Sequence, residues 1–329
     1  MIKAEIQPEN VPTDTPPVVS VIIPAYNAAK YIGEALNSVF DQTFRSHESI
    51  VINDGSPDTV ELERELQASS GNVRYIKQAN RGAAAARNAG LLCARGEYVA
   101  FLDADDRWLP NFLQEQIEFL KLNDADFVFA DAVLCGETPL AGRTFMQLEP
   151  PKSAVTPESL LAVDVAVLTS AVLARKQPIF DVGLFDETIK RGHDFELWFR
   201  LAKAGIRFAH NPKVLAEYRV VANGLSGNAL SQLCRTLSVL ETVKAKGTLT
   251  QSEDAALNLN MQRTRAALAL ECGKEKLLGG DFEGALQSLE EAKRYRPSLK
   301  LQLVSLGVRI APETVRRLCQ RRVGATRSG

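Results

Sequence analysis

Three carboxylates stand together in Asp-Ala-Asp-Asp at 103–106, directly after the apolar run at 98–102. Side chains at i and i+2 of an extended chain share one face. Where the strand ends, Asp103 and Asp105 can therefore converge on one hard cation. Mg2+ or Mn2+ takes oxygen ligands and keeps positions open for phosphate oxygens. A metal there would act as a Lewis acid and neutralise a leaving diphosphate. A solvated acidic loop, or a helix cap ahead of Trp108, is the plainer alternative.

Three other groups of residues could do chemistry. Asp54, in Asn-Asp-Gly-Ser at 53–56, could accept hydrogen bonds from a base or a ribose, or serve the turn alone. Arg87 follows the alanines at 83–86, which would let a helix lie close on a sheet; a buried Arg there wants an anion or a carboxylate. Asp194 follows His193 at the start of an expected helix, whose partial positive charge favours the ionised carboxylate. That is the state a general base needs, although simple N-capping also explains an Asp there.

These groups need elements that bring them together. Apolar, β-branched runs at 18–24, 49–53, 73–77, 98–102 and 127–130 read as strands. Helices fall between them. One carries Ile32, Leu36, Val39 and Phe40 on one face, another runs from 82 to 96, and a third takes Pro110 as its first residue. Alternation of this kind predicts an α/β fold with a mainly parallel sheet covered on both faces. Ligands of such sheets bind beyond the carboxyl ends of the strands, which is where Tyr26, Asp54 and the acids at 103–106 fall. Residues 136–157 read as a loop, 168–174 as a further strand and 194–204 as a short helix. After 226, Leu, Ala, Glu, Lys and Arg dominate and predict amphipathic helices. Residues 279–292 resemble the hinge and second helix of a tetratricopeptide repeat, in a single copy where a solenoid needs about three.

Bulk properties exclude several classes. A net charge of −1 over 329 residues gives no overall bias toward nucleic acid. The most apolar segment, 160–174, is too short for a bilayer and contains Asp164. Residues 1–17 carry Glu5, Glu9, Asp14 and four prolines, unlike a signal peptide, and read as a flexible leader. Five scattered cysteines and three histidines argue for free thiols in a reducing cytoplasm and against a His/Cys zinc site. From 309 to 329 six Arg stand against Glu313, with Val315, Leu318 and Val323 beside them. That tail is expected to be solvated, or to touch anionic lipid from the inner face of a membrane.

Taken together, six motifs resemble the family 2 inverting glycosyltransferases of the GT-A fold. They are Val-Ser-Val-Ile-Ile-Pro-Ala-Tyr-Asn at 19–27, Asn-Asp-Gly-Ser at 53–56, and Asn80-Arg-Gly with Ala-Arg-Asn-Ala-Gly at 86–90. Phe-Leu-Asp-Ala-Asp-Asp at 101–106, Gly-Leu-Phe-Asp-Glu at 183–187 and His-Asp-Phe-Glu-Leu-Trp at 193–198 complete the set. The resemblance implies a GT-A domain over 18–225 and leaves a helical region with a basic tail over 226–329. It implies that Pro24, Ala25, Tyr26 and Asp54 hold the nucleobase and ribose, with Asp54 reading a uracil-like edge. Asn80, Arg87 and Ala104 would line the donor pocket. Asp103 would sit near ribose and metal, and Asp105 would bind Mn2+ or Mg2+ directly. Asp194 would be the base, with His193 and Trp198 on the acceptor side. The implied partners are a UDP-sugar and a glycan or lipid-linked acceptor.

Two departures stand out. The pair usually written Glu-Asp is His193-Asp194 here, and a charged His193 would weaken Asp194 as a base. Tyr-Arg-Val-Val at 218–221 lacks the His that the family often carries, leaving Arg219 to meet the phosphates. A nucleotide-sugar-binding protein without efficient transfer, acting through its helical region, is the competing reading. A nucleotidyltransferase would need a Gly-rich triphosphate loop with a Lys near the first strand, and residues 24–27 offer none.

Overall fold

The computed structural model describes residues 16–69, 71–221 and 229–325. The expected leader falls almost wholly outside these residues, as do the 225/226 boundary and the end of the tail at 326–329.

The chain divides into two compact units, one reaching Gly136 and resuming over Leu140–Arg219, the other comprising Glu137–Pro139 and the chain from Val220. In the first unit the elements run β1 (Val19–Ala25), α1 (Ala29–Phe40), β2 (His47–Asp54), α2 (Thr59–Ala68), β3 (Val73–Gln78), α3 (Ala83–Cys93), β4 (Tyr98–Phe101) and β5 (Arg107–Trp108). They continue as α4 (Phe112–Leu122), β6 (Phe127–Gly136), α5 (Phe145–Leu148), α6 (Pro157–Leu161), a 3-10 turn (Thr169–Ala171), β7 (Val172–Arg175), α7 (Lys176–Asp181), α8 (His193–Lys203) and β8 (Phe208–Val220), whose last residue counts with the second unit.

One sheet holds all eight strands in the order β3-β2-β1-β4-β7-β6-β8-β5. β1 pairs in parallel with β2 and β4, and β2 with β3; β7 runs antiparallel to β4 and β6, and β5 antiparallel to β8. The expected parallel sheet is therefore the first half of a mixed one. Strand alternation builds two cores. Val19, Val21 and Ile23 of β1 face Ile32, Leu36 and Val39 of α1 and Phe112, Leu113 and Ile117 of α4. Ile22, with Ile50 and Ile52 of β2, faces α3 and the apolar side of α8. The α3 helix lies very close: a Cβ on Gly90 would stand 2.5 Å from Ile22 and 2.9 Å from Ile52.

Two expectations need correcting. Pro110 does not open α4; Asn111 is the N-cap and Phe112 the first helical residue. The expected strand at 168–174 begins with the 3-10 turn, and only Val172–Arg175 is extended.

The second unit contains α9 (Ala229–Ala245), α10 (Gln251–Gly279), α11 (Phe282–Tyr295), α12 (Leu299–Ile310) and α13 (Pro312–Ala325). Thr250 and Glu253 form a capping box on α10, Gly280 ends it in the left-handed region at φ 88°, and the Asp281 side chain caps α11. That is the hairpin chemistry read from 279–292, and α12 and α13 continue it. Leu277, Ala285, Leu289 and Val308 form a small core there, with Leu301, Val304 and Val315 against it. Val315 thus turns inward and does not offer the surface expected of it. The side chain of Val323 lies outside the described residues. Among the described residues no helix is long and apolar enough to cross a membrane.

Candidate active site

The ends of β1 and β2 are tied together by backbone and hydroxyl groups. Asn27, left-handed at φ 52°, donates its N–H to Ser56 Oγ at 2.6 Å. Ser56 in turn donates its own N–H to Asn53 Oδ1 at 2.8 Å. Beside this knot Pro24 is half-buried, Ala25 is buried and Tyr26 stands 55% exposed.

Asp54 does not present its carboxylate to solvent. It is 3% exposed. Its Oδ1 accepts from Gln78 Nε2 at 2.7 Å and from the Arg81 N–H at 2.9 Å, and its Oδ2 accepts from the Gly82 N–H at 2.8 Å. Three of about four lone-pair sites are thereby used by the protein. In this arrangement Asp54 holds the loop at 78–82, where Asn80 and Arg81 are exposed, with one lone-pair site left over.

Arg87 is the centre of the arrangement. It projects from α3 and is 5% exposed. Its guanidinium donates to Asp103 Oδ1, lies 2.6 Å from His193 Nε2, and stands 5.9 Å from the centre of the Phe185 ring. Asn88, the next residue, exchanges hydrogen bonds with the backbone of Phe185 at 2.9 Å in each direction and donates to Glu187. The Arg-Asn pair therefore secures the 183–187 segment while reaching the acid cluster and the start of α8.

The three acids differ. Asp103 is paired with Arg87. Asp106 is buried, accepts from the Ser170 hydroxyl and from the Arg219 N–H at 2.8 Å, and has its pKa raised well above the usual value by burial and by its two neighbours' charges. Asp105 is half-buried, and among the described residues no side-chain donor hydrogen-bonds it. Burial and the charge of Asp103 raise it to about 6. Arg219 stands over the Tyr31 ring, donates from Nε to the Asp105 carbonyl at 2.8 Å, and reaches Glu34 at 2.7 Å.

At the other end of Arg87, Asp194 is half-buried. Its Oδ2 accepts from Thr169 at 2.8 Å and its Oδ1 from the Phe195 N–H at 2.8 Å. Burial pushes the carboxyl up. His193, Arg87 and these two donors outweigh it, so the carboxyl lies below its ordinary range. Burial and Arg87 bring His193 down to about 4. The imidazole is therefore neutral at pH 7, and Arg87 supplies the positive charge. A charged His193, the concern raised by the sequence, does not arise.

Residues 20–161 match the family model described as Glycosyl transferase family 2. An uncharacterized glycosyltransferase of Rickettsia prowazekii is 31% identical over 300 residues, which is 83% of this chain and 90% of that protein. The chain belongs to glycosyl transferase family 2. This glycosyltransferase is also 28% identical, over 68% of its length and 85% of the relative's, to the Escherichia coli UDP-Glc:alpha-D-GlcNAc-diphosphoundecaprenol beta-1,3-glucosyltransferase WfgD. Its fold resembles that of TarS from S. aureus, solved with UDP-GlcNAc, at a TM-score of 0.62, 19% identity and coverage of 92% of this chain and 90% of TarS. The mannosyltransferase PcManGT from Pyrobaculum calidifontis, solved with GDP-Man and Mn2+, gives 0.62 and 19% over 97% and 88%. The GT-A fold is thus shown.

The structure moves two expected acceptor-side residues of the transferase into its interior. Trp198 is 2% exposed and packs on Phe101, Phe127 and Phe185. His193 is 7% exposed, edge-on to Phe185. Ala104 is buried in the core, so only its backbone can face a ligand. Sequence reasoning missed Thr169 and Ser170, whose hydroxyls hold Asp194 and Asp106. In a short run of small and apolar residues nothing marks them out.

Proposed function

We propose that this glycosyltransferase is a metal-dependent inverting enzyme that moves a hexose from a UDP-sugar to a hydroxyl of a lipid-linked glycan. One observation carries the reading. A single buried guanidinium spans Asp103, on the side of the acid cluster, and His193, whose neighbour Asp194 is a charged carboxylate with lone pairs to spare. Donor-side acid and base thus stand at the two ends of Arg87.

The acid cluster suits a divalent cation. Burial, and then the charge of Asp103, raise the pKa of Asp105, so its ionised carboxylate lacks full compensation. Among the described residues no three His, Cys, Asp or Glu side chains form a complete metal cage. Asp105, with Asp103, would therefore hold Mn2+ or Mg2+ together with diphosphate oxygens and water. When bound, the ion stabilises negative charge on the leaving diphosphate.

The protein's own residues do the rest. The exposed Tyr26 ring, with Pro24 and the backbone of Ala25, offers a face to the nucleobase. Asp54 holds the 80–82 loop that closes the donor side, and Arg219 meets the phosphates. The acceptor oxygen attacks the anomeric carbon opposite the diphosphate. The carbon–oxygen bond to the diphosphate breaks with its electron pair, and Asp194 takes the acceptor proton. The UDP and undecaprenol parts of the reading draw on WfgD's name. Such an acceptor would put the enzyme at the inner face of a membrane.

Asp194→Asn keeps size and the Thr169 contact while removing basicity. Transfer from UDP-glucose to a polyprenyl-diphosphate GlcNAc acceptor should fall by about 10² to 10⁴, with UDP affinity by calorimetry unchanged. Wild type should bind UDP more tightly than GDP or CDP and should give a product of inverted anomeric configuration by NMR. Near-normal turnover by the variant, or a retained configuration, would remove Asp194 as base. Tighter GDP binding would remove the uridine assignment.

A further inference from the structure

The α12 helix is apolar on two opposite faces. Leu301, Val304 and Val308 point into the small core of the second unit. Leu299, Leu303, Leu306 and Ile310 do not, and are 77%, 69%, 52% and 74% exposed. Their spacing of four, three and four residues places them within about 60° of one another and along about 17 Å of helix. Lys300 and Arg309, both exposed, lie on the two margins of that stripe, and α12 contains no acid.

A single packed face is enough for a surface helix, so a second apolar face left exposed marks an interaction surface. Charge decides what covers it. Between 294 and 321 seven Arg and Lys stand against Glu313 alone, although the whole chain carries −1. Glu290 of α11 pairs with Arg309 at 3.0 Å, in an exposed contact worth little. Two copies meeting through this segment would oppose like charges. An anionic bilayer complements them. Its interface takes an apolar stripe below the headgroups, while marginal Lys and Arg side chains extend to the phosphates.

We propose that the outer face of α12 is a docking surface for an anionic membrane leaflet. Leu299, Leu303, Leu306 and Ile310 enter it, with Lys300 and Arg309 at the headgroups. The inference rests on the second unit alone. It holds whether or not the donor and base assignments do, and it places the apolar contact in α12 and not in the last residues of the chain.

The test is flotation of the full chain with phosphatidylcholine vesicles, with and without phosphatidylglycerol. Wild type should float only with the anionic vesicles and be released by high salt. Leu303→Ser combined with Leu306→Ser should lower the partition coefficient at least about tenfold. Lys300→Gln and Arg309→Gln should lower it by about fivefold each. These exposed positions should leave thermal unfolding and UDP calorimetry unchanged, which separates this test from that of the transfer reaction. Failure of wild type to float, or undiminished flotation of both sets of variants, overturns the proposal. So does a wild-type dimer in light scattering that the serine variant abolishes, because the stripe would then be a self-interface.

Discussion

Asp105 is a carboxylate kept in an unfavourable place. Its folded pKa of about 6 lies above the ordinary 3.8, so the folded protein holds this proton more tightly than the unfolded chain does. The sign follows: its contribution is favourable at low pH and is lost as pH rises from about 4 to 6, leaving a net cost at neutrality. Asp105→Asn should therefore raise the stability of the metal-free protein at neutral pH by about 1 kcal/mol or more, and have little effect near pH 4. Thermal unfolding at the two pH values measures this. Mn2+ with UDP should add stability to wild type and little to the variant. A variant less stable than wild type at neutral pH would mean that the carboxylate is structurally satisfied. The same low-pH window leaves Asp194 charged for longer, since its carboxyl is lowered and not raised. On the proposed roles, activity should therefore fail first at Asp105 as the medium is acidified.

At the scale of elements, α3 acts as a splint. It lies against β1 and β2 through Gly90 and its alanines, and through Asn88 it grips the turn at 183–187 before α8. Asn88→Ala would leave the buried Phe185 N–H and C=O without their partner. Urea unfolding should show a loss of about 2 to 4 kcal/mol, and turnover should fall further than stability alone requires, because the start of α8 carries Asp194. A loss below about 0.5 kcal/mol would show that the 183–187 segment is held by other means. Much of this half was legible from residue patterns. β1, β2 and β4 each carry an apolar run, at 21–23, 50–52 and 98–102, and the acids that close β2 and follow β4 stand in the linear text. β8 was not legible, because Asn211, Pro212 and Lys213 interrupt it. Its last residues supply the backbone N–H that holds Asp106, so the sequence could not show how that acid is buried. The burial of Trp198 could have been read: it packs with Leu197 and Leu201 of the same helix in one core. Asp54 could not, since the N–H groups that occupy it lie 27 and 28 residues further on.

For the whole molecule, a net charge of −1 conceals two differently built units. The second is a succession of helix hairpins whose contacts join mainly neighbours in sequence, with α13 also returning to α10. The first depends on pairings between distant segments, the clearest being the bond from the Arg219 N–H to Asp106 across 113 residues. Chains closed by distant pairings fold slowly, and local helix pairs fold fast. In a refolding experiment the far-UV helix signal should return well before UDP binding does, with domains acquiring structure as units. Coincident recovery of both signals would contradict this. The order matters during synthesis as well. β1 to β4, and the acids that follow them, leave the ribosome early, while the strand that buries Asp106 arrives more than a hundred residues later. Until it docks, a carboxylate-lined gap and one open sheet edge are presented to every other nascent chain nearby. The interval between translating residue 106 and residue 219 is thus the period in which mispairing has the most to attach to.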